Sequence, residues 1–364
     1  MANGIPRRHH YVTKAYLEGF LEPGKPHLYC YGRKRSEPFQ NTPINLANIR
    51  DFHSYKRADG SIDCSLEARI EKEIESPGIP ILRRLVSGKT NLDYGQRVAL
   101  ARLVALQSIR VPYERNFMDG NNVHNLRSFL NEMDEDAQRL GAPVNAIDIA
   151  VTPRDDPKLI TKRVRISREQ ILAEIGHAEK DPGRSSRDAL FPLTDGLSKV
   201  LVHMEWSVYH ASGTERFITS DRPVVRDSAD DRGLGRGLKD LRSKMNFPLS
   251  STALLEIRHH NWLINAIRKR RPNQAPLRRK APNQEITVCE ATDSFVEAAN
   301  LAHAEQAHLW VFSGREQAWI RTWMQKPLKV PKQVVTVSDR MQDLRANHQP
   351  AKPTRVRESV IRHE

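Results

Sequence analysis

The stretch LDYGQRVALARLVALQSIRVP, residues 92–112, constrains the chain most. Its spacing predicts a helix that runs to Pro112, with Leu100, Leu103, Val104 and Gln107 sharing one face. Gln107 thus lies within an otherwise apolar surface, and Arg110 follows three residues later, just before the helix ends. Around this element the chain reads as alternating helices and strands. CSLEARIEKEIES, from Cys64, is helical and is expected to stop at Pro77 and Gly78. Residues 113–140 continue as a charged helix that Gly141 and Pro143 end. SREQILAEIGHAEK starts from a plausible N-cap at Ser167, and the helix after it has to kink or break at Pro192.

HLYCYGR, DFHSYKRADGS, WSVYHAS, RFITS, STALLEIRHH, EITVCEA and HLWVFSG are strand-like, with the helix DSFVEAANLAHAEQ between the last two. The expected fold class is therefore α+β, helix-dominated, with one core sheet built from strands near both ends of the chain. Residues 1–141 form a mainly helical part, 142–166 a proline-rich connecting loop, and 167–325 an α/β part interleaved with the first. Residues 326–364 read as a basic, disordered tail.

Hydrophobic residues make up 38% and charged residues 28% of the 364, which excludes wholesale disorder. Lys and Arg number 58 against 44 Asp and Glu, a formal charge of +14 that suits a polyanion such as nucleic acid. Three scattered cysteines without a CxxC pair exclude a disulfide scaffold and a cysteine-rich zinc site. Cys30 and Cys289 read as small buried apolar residues. No window is apolar enough to span a membrane or serve as a signal peptide, so the expected setting is reduced and cytoplasmic. A P-loop, a GxSxG elbow and an HExxH pair are missing, and GLGRGL at 233–238 lacks the strand-then-helix context of a dinucleotide fingerprint.

Five places can carry chemistry. His9, His10 and Tyr11 open the chain. Adjacent histidines seldom point the same way, so one serves a site or caps the helix expected at 11–20, while the other, His9, is solvated. Glu67, Glu71 and Glu75 share a helix face at i, i+4 and i+8. Such a row can hold a divalent cation, or it is simply a solvated stripe, the reading preferred for Glu71. In LQSIRVP, Gln107 and Arg110 can grip a phosphate or cap the helix. In FITSDRPVV, Asp221 ends a strand, placed to act as a metal ligand or a base unless it only bonds its own turn. IRKRRPNQAPLRRKAP, residues 267–282, offers Arg268, Lys269, Arg270, Arg271, Arg278, Arg279 and Lys280 to phosphates. Trp262 nearby is a stacking platform.

Taken in order, HHYVTKAYLEGF, DFHS, E…IES, LQSIRVP, ITSDRPV and FPLSSTALL resemble the bacterial family called domain of unknown function 4238 from about residue 8 to about 315. The chain departs from that family's usual proline at Thr13, a difference expected to concern helix entry and not chemistry. The resemblance implies a shared role for His10, Tyr11, Glu67, Glu75, Gln107, Arg110, Ser220, Asp221 and Pro223, and it implies no activity. The expectation is a metal-dependent phosphodiesterase or nuclease acting on nucleic acid, with phage defence as a candidate setting. Glu67, Glu75 and Asp221 would hold magnesium or manganese, His10 and Tyr11 would serve the reaction, and Arg110 with Gln107 would clamp a phosphate. The rivals are a nucleic-acid-binding protein without catalysis and a hydrolase of a small phosphorylated metabolite.

Overall fold

The computed structural model describes residues 7–57, 59–151, 162–227, 244–259 and 285–326. Its opening block is not the single helix expected at 11–20. Arg8–His10 is a strand (β1), and Lys14–Leu17 (α1) runs directly into a 3-10 turn at Glu18–Phe20. Tyr16, Leu17 and Phe20 from this segment are buried. Three short strands follow: Leu28–Gly32 (β2), Phe39–Asn41 (β3) and Asn48–Arg50 (β4). β4 pairs antiparallel with β1 and sets His9 opposite Ile49. A small hairpin, Tyr55–Lys56 (β5) with Ile62–Asp63 (β6), leads into the first long helical run.

That run does not stop at Pro77. Ser65–Ile70 (α2), a π-helical turn at Glu71–Glu75 and Ser76–Val86 (α3) follow one another without a break. Proline has no N–H to offer the carbonyl four residues back, here that of Glu73. Arg102 supplies the missing donor, its Nη1 lying 3.1 Å from the Glu73 oxygen. The widened turn just upstream is the place where the helical ladder absorbs the interruption. Gly78 lets this run press against the next helix, since a Cβ there would stand 2.9 Å from Cβ of Leu103.

The apolar stretch forms Tyr94–Ile109 (α4), started by a reciprocal capping box between Asp93 and Gln96. Leu100, Ala101, Leu103, Val104, Ala105 and Leu106 have no exposed surface, so α4 is the buried axle of the molecule. Pro112–Leu140 (α5) ends where Gly141 adopts a left-handed conformation at φ 66°. The expected connecting loop contains instead an antiparallel hairpin of Ala146–Val151 (β7) and Lys162–Ser167 (β8). Arg168–Lys180 (α6) follows with its own capping box from Ser167, and Arg184–Leu201 (α7) runs unbroken through Pro192. Arg97 of α4 donates to the carbonyls of Val202 (2.9 Å) and Met204 (2.7 Å) just beyond α7, a buried cation at a helix C-terminus.

The remaining elements are Glu205–Ala211 (β9), Thr219–Ser220 (β10), Val225–Asp227 (β11), Lys244–Ser250 (β12), Ala253–Arg258 (β13), Thr287–Ala291 (β14), Asp293–Gln306 (α8), Trp310–Ser313 (β15) and Ala318–Met324 (α9). The fold is α+β, and the expected single core sheet resolves into two. A four-stranded sheet, ordered β10-β15-β2-β3, joins strands from both ends of the chain. A five-stranded sheet, ordered β11-β12-β13-β9-β14, comes wholly from the C-terminal half, with β14 parallel to β9. Cys30 is buried in β2 as expected, whereas Cys289 is half-buried. Among the described residues no helix is long and apolar enough to cross a membrane. Trp262, the basic run 267–282 and the tail from 327 onward lie outside the described residues.

Candidate functional site

The β1–β4 pairing sends the two histidines to different surroundings, because side chains alternate along a strand. The assignment is the reverse of a solvated His9. His9 is fully buried, and its ring stacks on His53 with centroids 5.9 Å apart and planes 4° from parallel. Nδ1 of His9 accepts the backbone N–H of His53 at 2.9 Å. His10 is half-buried on the other side, with Nε2 at 3.2 Å from the carbonyl of Ile44. A carbonyl only accepts, so Nε2 carries the hydrogen and the lone pair of neutral His10 is on Nδ1. Burial, with the nearby Arg110 charge, holds His10 below the usual imidazole range.

Thr13 is the hub of the network beside it. Its hydroxyl donates to Oε1 of Glu75 (2.8 Å) and accepts from Nε2 of Gln107 (2.6 Å) and Nη2 of Arg110 (2.6 Å). The departure at Thr13 therefore concerns the polar interior as well as helix entry. Arg110 has no exposed surface. It donates through Nε to the carbonyl of Tyr11 (2.9 Å) and through Nη1 to Oε1 of Glu75 (2.6 Å). With every branch of its guanidinium engaged inside the protein, Arg110 is not a phosphate clamp; it ties the segment Tyr11–Thr13, the end of α4 and the π turn together. Gln107 spends its amide N–H on Thr13, and its Oε1 is buried without a partner. Tyr11 is buried, and burial raises its phenol well above the ordinary range, so it stays protonated.

Glu67, on α2, faces His53. Its Oε2 lies 3.8 Å from Nε2 of His53, and both atoms are enclosed without a hydrogen-bond partner. Burial lifts the Glu67 carboxyl to about 7, with the Glu75 and Glu71 charges adding to the rise and Arg110 opposing it. Burial, together with the charges of Arg115 and Arg110, holds His53 well below the imidazole range and hence neutral. Glu71 is exposed, as its solvated reading implies.

Asp221 does not join the glutamates. Its Oδ1 accepts from the backbone of His308 (2.9 Å), and its Oδ2 accepts from Leu309 (2.6 Å) and Trp310 (3.1 Å). It anchors the turn into β15. Burial pushes it up to about 6 while the three N–H groups pull the other way. Both of its oxygens are engaged by the backbone of that turn. Among the described residues no group of three or more His, Cys, Asp or Glu side chains is placed to hold a metal ion.

The structure thus gathers His10, Glu67, Glu75, Gln107 and Arg110 of the expected set around one network, and adds Thr13, His53 and Arg115. The DFHS block contained His53, but nothing in its local spacing pairs it with a residue fourteen positions on. The family described as protein of unknown function (DUF4238) matches residues 8–317. No curated protein and no solved structure matches the chain. A match over that much of the chain shows the family: the chain belongs to DUF4238.

Proposed function

We infer that the chain is a hydrolase that cleaves phosphodiester bonds of nucleic acid by acid–base chemistry, with His10 as base and Glu67 as acid. The observation that carries this reading is the opposite displacement of two titrating groups around the Arg110–Glu75 pair. His10 is held neutral with a lone pair on Nδ1, while Glu67 keeps its proton up to about 7. Both groups feel the same Arg110 and Glu75 charges. Pairs pushed apart in this way divide acid and base roles at neutral pH. The net charge of +14 favours a polyanionic substrate, and its expected contact surface is the basic segment 267–282.

A divalent cation, magnesium or manganese, belongs to a second reading favoured by the proximity of Glu67 to Glu75. Two carboxylates are few for a hard cation, so substrate phosphate oxygens would complete its shell. The two readings differ in the proton on Glu67, which a cation would displace. A cytoplasmic setting is part of the same proposal.

The test is cleavage of labelled DNA and RNA, with and without Mg²⁺, Mn²⁺ or a chelator. His10→Ala and Glu67→Gln are each expected to slow cleavage by roughly 10²-fold or more. Loss of cleavage on chelation favours the cation reading. Cleavage that neither substitution alters overturns the site, and salt-sensitive binding without cleavage favours a non-catalytic binder.

A further inference from the structure

Helices α8 and α9 pack against each other and border a cavity of about 540 Å³. Trp319 and Trp323 line it from α9, four residues apart and hence on one helix face. Glu297 and Leu301 line it from α8 at the same spacing, and Glu215, in the loop before β10, adds a second carboxylate. That loop is held in place. Asn300 of α8 donates to the carbonyl of Arg216 (2.9 Å) and accepts the N–H of Ile218 (3.0 Å), while the N–H of Glu215 donates to Asp293 (2.8 Å). The charges around the cavity do not balance. Among the described residues neither the Glu215 nor the Glu297 carboxylate has a hydrogen bond or an ion pair. Arg216, next along the chain, donates to the carbonyls of Gly213 (2.8 Å) and Glu215 (2.7 Å) instead. The ammonium of Lys326 lies over the Trp323 ring, 3.8 Å from its centroid. The Trp319 indole is fixed by its Nε1–H, which donates to Gln317, and among the described residues no cation stands over it. Two indoles and two carboxylates thus share the single ammonium of Lys326. An indole face attracts a cation, and a cavity of this size takes a small organic molecule.

We propose that this cavity binds a small organic ammonium ion, its charged nitrogen held by the Trp319 face and the carboxylates of Glu215 and Glu297, beside the place that Lys326 fills on Trp323. In a chain of formal charge +14, this acidic and aromatic hollow selects a ligand opposite in sign to nucleic acid. None of its residues belongs to the network around Arg110, so the proposal stands apart from the hydrolase reading.

The experiment is titration of the full chain with choline, followed by the indole N–H resonances of Trp319 and Trp323, which Trp319→Phe and Trp323→Phe identify. The control is the neutral alcohol of the same shape, with carbon in place of the nitrogen of choline. The expected result is a saturable shift of both indoles with choline and binding at least about tenfold weaker for the alcohol. Glu215→Gln combined with Glu297→Gln should weaken choline by about tenfold. Both are changes at the solvent-facing rim that leave the fold intact, so the outcome does not hinge on folding. Lys326→Met removes the resident ammonium and should tighten choline binding. No saturable shift at either indole, equal binding of the alcohol, or weaker choline binding in Lys326→Met overturns the proposal. Adenosine monophosphate is the second probe. If it binds here in place of choline and loses affinity in Lys326→Met, the cavity is a nucleotide site and the proposal is overturned.

Discussion

At Thr13 one hydroxyl meets three groups, and Thr13→Val removes all three hydrogen bonds while keeping the shape. The expected loss is about 1–3 kcal/mol in urea unfolding, the range for leaving buried polar groups unsatisfied. Arg110→Ala also strands Glu75 and the Tyr11 carbonyl, and should cost about 3–5 kcal/mol by the same measurement. Glu67 behaves in the opposite sense. Its folded carboxyl titrates at about 7 against 4.5 for the free group, so the folded state holds a proton that the unfolded state releases. Stability is therefore full below about pH 4.5 and is lost as pH rises to about 7, by at most about 3 kcal/mol. Glu67→Gln should flatten that fall and be the more stable protein at pH 8; an unchanged pH profile would show that Glu67 titrates normally. His10, Glu67, Glu75, Gln107 and Arg110 were legible as a set because each occupies a recognisable block. The roles of Thr13, His53 and Asp221 were not, because they depend on which backbone groups and rings fold against them.

The helices α4 and α5 were readable from periodicity and punctuation, since their apolar spacing and Gly141 act within a single segment. The run 65–86 was not, because its continuation past Pro77 depends on Arg102, a residue of another helix. Arg102→Leu should strand the Glu73 carbonyl and lower stability by about 1–3 kcal/mol. Hydrogen exchange should then rise first around residues 71–77. Gly78→Ala should cost a similar amount by forcing α3 away from Leu103. The strand β12 escaped notice because Pro248 sits inside it, and the pairing with β13 shifts register between Pro248 and Ser250. The β7–β8 hairpin was hidden by the prolines and charges between its strands, which read as a loop.

For the molecule as a whole, charge is the property most open to test. Replacing Arg268, Lys269, Arg270, Arg271, Arg278, Arg279 and Lys280 with glutamine takes the formal charge from +14 to +7. The slope of log affinity for DNA against log salt should flatten by up to ~0.9 for each phosphate contact removed. A slope that does not change would place the contact surface elsewhere. The other whole-molecule property is connectivity. In the four-stranded sheet Cys30 of β2 pairs with Phe312 of β15, 282 positions later. On a ribosome adding ~5–20 residues per second, β2 would wait roughly 15–60 s for that neighbour to be made. The site residues between His10 and Arg115 are complete long before then. The nascent chain thus holds the residues of its polar network for most of its synthesis while the four-stranded sheet does not yet exist, which makes this a protein finished by its last strands.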